Sequence, residues 1–241
     1  MKKYLKKVVD YFGYTITKKN GNKLQDDNPL KAVKGFFKNS EAIFFDIGMN
    51  YGQTTQKMRS LYPAAVIHGF EPSKKCFKYI KENLKKENVF LYHKAVGSLN
   101  SFLEFNEYSW SALNSLLQRA FTKSTIQETY QVEVVTIDSV CSDQQIPYIN
   151  FLKTDTEGYE LEVLKGASEM MQKNKIQFVF VEIFFKENFL GQSSFGDIYN
   201  FLQSNNFDLV RFYEMEIAEE GIANRTDALF INRFFNTGTN V

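Results

Sequence analysis

The sequence predicts an α/β fold with a mostly parallel sheet covered by helices on both faces. Three observations point to it. From residue 42 onward, short apolar runs alternate with segments of helical length and pattern. Several of those runs, such as Ile43–Ile47 and Ile149–Thr154, have an acid at or just past their end and lead into loops that carry glycine, as strand ends at a ligand crevice do. The length of 241 residues and a hydrophobic content of 44% suit one large domain, or one domain plus an arm.

Taken in order, residues 1–12 and 29–37 read as helices, separated by the polar Asn20-Gly21-Asn22. Residues 1–38 hold ten lysines against Asp10, Asp26 and Asp27, a balance of +7. With a net charge of +1 overall, the remainder carries −6. Tyr4, Leu5, Val8, Val9, Tyr11 and Phe12 recur at helical spacing with lysines opposite. Such a helix can make weak contact with a membrane surface or an anionic partner. The short apolar stripe favours packing on the main domain instead. The division expected is a basic helical arm, 1–40, and a domain, 41–241.

Strands are expected near 43–47, 66–71, 89–96, 149–154, 178–183, 207–213 and 227–233, and helices near 51–61, 73–86, 159–172 and 195–204. The alternation argues for parallel pairing with both faces covered. Segment 100–140 breaks the rhythm: residues 101–106 and 130–136 alternate with period two, as half-exposed strands do. The polar stretch between them, with Trp110, Ser111, Asn114 and Ser115, is either a substrate-lining insertion over the crevice or a surface loop that Trp110 packs down.

The chemistry concentrates at strand ends. Ile43-Phe44-Phe45-Asp46-Ile47-Gly48-Met49-Asn50-Tyr51-Gly52 is a strand, a glycine loop and a helix start, a unit that offers backbone N–H groups to a polar ligand. Glu71 closes the next strand, 25 positions after Asp46, where an acid can accept from both hydroxyls of a ribose. The dinucleotide pattern G-x-G-x-x-G, aligned from Gly48, meets Asn50 and Gln53 and fails. An acid beside the loop would repel a pyrophosphate and suits an ammonium. S-adenosylmethionine has an ammonium, a sulfonium, a carboxylate and a ribose. Its carboxylate is expected against the loop N–H groups and its ribose against Glu71. A second chemical segment, Phe151-Leu152-Lys153-Thr154-Asp155-Thr156-Glu157-Gly158, ends a buried-type strand in acids, and Phe178-Val179-Phe180-Val181-Glu182 ends in another. In a doubly wound sheet Asp46, Glu71, Asp155 and Glu182 share one edge, which suits a cationic ligand and supplies candidates for a general base. Capping of the following helix is the other role open to Asp155 and Glu157.

Composition sets bounds. There is no apolar run of membrane-span length and no secretory leader pattern at residues 1–7. Cys76 and Cys141 are not a metal-type pair, and read as reduced thiols of a cytoplasmic protein. His68 and His93 are too few and too isolated for zinc, so no metal site is expected. The lysines after Glu71 read as a solvated helix face, and no nucleic-acid surface is expected.

Phe45–Gly52, Gly69-Phe70-Glu71-Pro72, Ala95-Val96-Gly97, Val135-Thr136-Ile137-Asp138, the long block from Phe151 to Ala167 and Asp227–Arg233 together resemble the signature blocks of the FkbM-type methyltransferases, in that family's order across residues 43–233. The resemblance implies a class I, S-adenosylmethionine-dependent fold, a Rossmann-like seven-stranded sheet whose last strand is antiparallel. It implies O-methylation of a hydroxyl on a small molecule, sugar or glycan. Carried over by position, Asp46, Gly48, Asn50 and Gly52 form the cofactor loop, Glu71 holds the ribose, Val96 flanks the adenine and Asp155 lies near the methyl donor. Thr154 and Thr156 depart from the pattern, which has apolar residues there, and make the crevice floor more polar. Asp155 and Glu157 lead the candidates for the base, then Glu182, then His93; His68, inside a strand, reads as structural. The alternatives are a nicotinamide oxidoreductase, which would need the missing pyrophosphate loop, or a non-catalytic cofactor-binding or interaction protein on the same scaffold. The Lys-, Asn- and Phe-rich usage suggests an AT-rich bacterial genome and a surface-glycan acceptor.

Overall fold

The computed structural model describes residues 24, 26–37, 42–85, 87–121 and 124–237. The expected helix over residues 1–12 lies outside them. The parallel core begins with strands β1 (Ile43–Ile47), β2 (Val66–Phe70) and β3 (Val89–Tyr92) and resumes with β7 (Ile149–Thr154) and β8 (Ile176–Phe184). The last two, β9 (Phe207–Ile217) and β10 (Ala223–Asn232), close a seven-stranded sheet of order β3-β2-β1-β7-β8-β10-β9. β10 runs antiparallel to both β8 and β9, so the last strand is the reversed one, as expected.

The two faces of the sheet bury alternate residues, the period-two consequence of the pleat. Phe45, Leu152, Val179 and Phe230 enter one core with helices α4 (Ile137–Asp143), α5 (Glu160–Lys165), α6 (Ser168–Gln172) and α7 (Phe195–Ser204). Phe44, Phe151, Phe178 and Leu229 enter the other, under α1 (Pro29–Ala32), α2 (Gln53–Leu61) and α3 (Lys74–Asn83). Near-continuous burial along β1, β7 and β8 follows from cover on both sides. Tyr62, just past α2, donates its hydroxyl hydrogen to the Leu30 carbonyl and fastens α1 to the domain. Among the described residues no helix is long and apolar enough to cross a membrane.

Two expected elements differ, and one helix is additional. The run 89–96 is two strands, β3 and β4 (Ala95–Val96), and β4 leaves the main sheet. The chain turns at His93, whose ring stacks on Phe77 and whose Nε2 lies 3.2 Å from the Pro72 carbonyl. β4 pairs instead with β6 (Ile126–Val135), which pairs antiparallel with β5 (Ser101–Tyr108), so the two strands of segment 100–140 join β4 in a separate three-stranded sheet. The run 159–172 is two helices, α5 and α6. They part at Gly166, whose backbone packs on Gly97 so closely that a Cβ there would meet the Gly97 carbonyl oxygen at 2.1 Å. Helix α4 was not expected; Thr136 caps it, accepting from the Ser139 N–H.

The strand order reverses between β1 and β7. In register, Ile47 lies between Phe70 and Thr154. The carboxyl ends of β2, β1 and β7 are therefore level, and the residues after them, Glu71, Gly48 and Asp155, border one crevice at the topological switch point.

Candidate active site

β1 leads into a loop of unusual backbone. Gly48 (φ 76°), Asn50 (φ 50°) and Gly52 (φ 81°) are all left-handed. Gly48 has no alternative: a Cβ would meet the Asp155 carbonyl oxygen at 1.9 Å. At Gly52 the nearest atom to such a Cβ is 3.7 Å away, so only its φ argues for glycine. The loop is pinned from three directions. The Gly48 and Met49 N–H groups donate to the Phe70 carbonyl, and the Asn50 N–H donates to Glu71 Oε2 at 2.6 Å. The Gly52 N–H donates to the Met49 carbonyl. These four groups are committed within the protein.

Asp46 is fully buried beneath the loop. Its Oδ2 accepts from the Thr55 hydroxyl at 2.6 Å, and its Oδ1 lies 3.2 Å from Lys153 Nζ. Lys153 also donates to the Gly48 carbonyl at 2.6 Å and the Ile47 carbonyl at 3.2 Å, and reaches Asp155 at 3.5 Å. Burial works against the ammonium, but the charges of Asp46 and Asp155 outweigh it and raise its pKa. Sequence reasoning missed Lys153. The signal was present: a lysine inside an otherwise buried-type strand requires a charged partner.

A cleft of about 200 Å³ opens above these loops. Apolar Ile47, Phe70, Pro72, Ala95 and Val96 line one part, and Glu71, Asn50 and Gly48 border it. Asp46 and Gly52 do not line it; they support the loop that does. Glu71 accepts from the Ser73 N–H at 2.8 Å as well as from Asn50, and a carboxylate retains further lone pairs for a ligand. Burial pushes its pKa up to about 7, against those two hydrogen bonds. The inserted sheet forms a wall through Phe105, Ser111, Ala112, Asn114 and Leu116. The Ser111 hydroxyl donates to the Asn50 side chain at 3.2 Å. Trp110, 61% exposed, does not pack the insertion down.

At the other end of the cleft, Asp155, Glu157 and Glu182 each present a carboxylate oxygen within 4.8 Å of the others. Neither Asp155 nor Glu157 caps α5. The turn before that helix is held by Glu160, which accepts from the N–H groups of Thr156 and Gly158. Glu157 has φ 56° and is 8% exposed. Burial, then the charge of Asp155, pushes its carboxyl well above the usual range. Glu182 is raised by burial and then by Glu157. Arg225, from β10, donates to Glu182 at 2.9 Å and to Glu216 at 2.6 Å, offsetting part of the charge. The three carboxylates are also a group that could hold a cation. The sequence reading had Asp155, Glu157 and Glu182 as base candidates at one strand edge, but it looked for metal ligands only among histidines and cysteines, and it missed Arg225. His93 is exposed beside Phe77 and Pro72 and does not line the cleft, a correction to its place among the base candidates. His68 is buried between Phe45 and Phe90, and burial lowers its pKa to about 4, so it is a neutral packing residue. Cys76 and Cys141 are buried free thiols pushed up by burial to about 11 and 12.

The donor set fits a nucleoside-bearing cation. An apolar slot beside Val96 suits a base, the free lone pairs of Glu71 suit a ribose, and the acids beyond suit positive charge. A family model described as the methyltransferase FkbM domain matches residues 46–209. A "2-O-methyltransferase NoeI" of Sinorhizobium fredii is 24% identical over 193 residues, 75% of this chain and 78% of that protein. A "Hexuronic acid methyltransferase AglP" of Haloferax volcanii is 27% identical over 58% of this chain and 55% of its own length. "Methyltransferase sdnD" of Sordaria araneosa is 30% identical over 54% of this chain and 62% of its own. Among solved structures, the methyltransferase domain of METTL16 superposes with a TM-score of 0.49 and 13% identity, covering 94% of this chain and 76% of that one. Strand order and the family match, not that likeness, define the fold.

Proposed function

The chain belongs to the FkbM methyltransferase family, and on that premise we propose that it is an S-adenosylmethionine-dependent O-methyltransferase acting on a hydroxyl of a sugar, glycan or other small molecule. The observation that carries this reading is the cleft with an apolar slot and Glu71 at one end and three carboxylates at the other. The names of two relatives, a 2-O-methyltransferase and a hexuronic acid methyltransferase, support a sugar hydroxyl as the acceptor. Bound S-adenosylmethionine supplies an electrophilic methyl group. Glu71 accepts from the ribose, Val96 flanks the adenine, and Gly48 and Asn50 border the donor. Asp46 and Gly52 act one step back, keeping the loop in shape. A bacterial, cytoplasmic setting agrees with two buried reduced thiols.

The protein's chemical task is to take the acceptor's proton. Glu157 and Asp155 are the residues for it. Glu157 is buried, with a raised pKa, so as a carboxylate it is a stronger base than a solvated acid. It gains the proton at Oε as the hydroxyl oxygen loses it. Arg225 moderates the field through Glu182. Turnover should therefore rise with pH through the raised pKa of Glu157.

The test is transfer of labelled methyl from S-adenosylmethionine into a glycoside and glycan panel, with Asp155→Asn and Glu157→Gln beside wild type. Removing the base should lower turnover by about 10²–10⁴-fold and change cofactor affinity little. If both variants turn over normally, neither is the base. If wild type labels no hydroxyl compound in the panel, the acceptor class is wrong.

A further inference from the structure

A second cavity, of about 170 Å³, lies against the sheet face covered by α1 and α2, and Asp155 is on the wall of both cavities. Nothing in the methyl-donor end requires it. Its lining holds two buried hydroxyl groups without partners among the described residues. Thr154 is 1% exposed and Tyr213 is 5% exposed. Neither Thr154 Oγ1 nor the Tyr213 hydroxyl has a hydrogen-bond partner among the described residues. Buried polar groups are rarely left so, and a site for a polar ligand is one explanation.

Beside these groups stands Asp227, whose pKa burial and then the Asp155 charge push up to about 7. Phe151 and Phe180 add ring surface. Hydroxyls that donate and accept, carboxylates and an aromatic surface are a set that suits a sugar ring. Charge narrows the class. Asp27, Asp155, Glu214 and Asp227 line the cavity against Lys57 and Lys153. The Lys153 ammonium is already committed to Asp46 and two carbonyls. This excess of acid disfavours a sugar carboxylate and tolerates an ammonium.

We propose that this second cavity holds the acceptor's sugar ring, a neutral or amino sugar and not a uronic acid, with Thr154, Tyr213 and Asp227 binding its hydroxyls and the reacting hydroxyl passing Asp155, on the wall of both cavities, to reach the carboxylate group of Asp155 and Glu157 in the donor cleft. The proposal rests on the methyltransferase reading above.

The experiment titrates the full chain, saturated with S-adenosylhomocysteine, with methyl glucoside, methyl 2-amino-2-deoxyglucoside and methyl glucuronide, followed by ligand-observed NMR. Wild type should bind the first two at least about tenfold more tightly than the glucuronide. Tyr213→Phe and Thr154→Val should each weaken sugar binding by about tenfold, because each removes a hydrogen-bonding group from the site. Affinity for S-adenosylhomocysteine should stay within about twofold, and the melting temperature of the free variants should hold or rise, since each lost hydroxyl has no partner among the described residues. Unchanged sugar binding in both variants, tighter binding of the glucuronide, or no binding of either other glycoside overturns the proposal and leaves the methyltransferase reading intact. Failure of wild type to bind S-adenosylhomocysteine overturns both.

Discussion

Lys153 is a charged side chain within a strand whose six residues are all buried. Its ammonium joins the ends of β1 and β7 by bonding Asp46 and the carbonyls of Ile47 and Gly48. Lys153→Met would keep the bulk and leave Asp46 buried without its cation. Breaking a buried pair from one side costs about 3–5 kcal/mol, so chemical denaturation should find this variant destabilised by that order. A loss below about 1 kcal/mol would mean that the pair contributes little. The sequence disclosed that Asp46 and Asp155 were special, but not what held them. Asp46 and Lys153 are far apart in the chain and meet only through the parallel register of β1 and β7. Arg225 and Glu182 likewise meet across an antiparallel pair that no local pattern encodes.

At the scale of elements, the loop between β1 and α2 contains two glycines that sequence reasoning treated alike. The structure separates them. Gly48→Ala forces a Cβ into the Asp155 carbonyl, so β1 and β7 must part, and a loss of about 3 kcal/mol or more is expected. Gly52→Ala meets only the left-handed φ cost, about 1–2 kcal/mol, with ordinary space around it. Thermal melts of the two variants check this; equal losses would contradict the distinction. The elements themselves were largely legible, because apolar runs and amphipathic segments of the main sheet follow the two periods. The breaks at His93-Lys94 and at Gly166 were not. Both come from tertiary packing, a ring stack on Phe77 and a backbone contact with Gly97, that override a locally continuous pattern.

Over the whole molecule, acids buried at one sheet edge couple folding to pH. Glu71 and Glu160 rise from 4.5 to about 7, and Asp227 from 3.8 to about 7, each chiefly by burial. A folded carboxyl with a raised pKa holds its proton more tightly than the unfolded chain does. Its contribution is therefore full below its ordinary pKa, 4.5 for the two glutamates and 3.8 for Asp227, and is lost as pH climbs through about 7, roughly 3–4 kcal/mol per group. The unliganded protein should be less stable at pH 8 than at pH 5.5 in denaturant titrations, and Glu160→Gln should flatten that slope. A slope of opposite sign would show that these acids are ionised in the fold. The fold, the family and the acid-bearing edge could all be read from strand-end residues in order along the chain. The second cavity could not, because it joins residues from α1 through β10. The most direct test of the methyl-donor site is calorimetry of S-adenosylmethionine with wild type and Glu71→Gln. Wild type should bind one equivalent, and the variant should bind about tenfold or more weakly, the loss of a charge-assisted bond to a ribose hydroxyl. No binding by wild type, or equal dissociation constants for the two proteins, would overturn the assignment of this cleft.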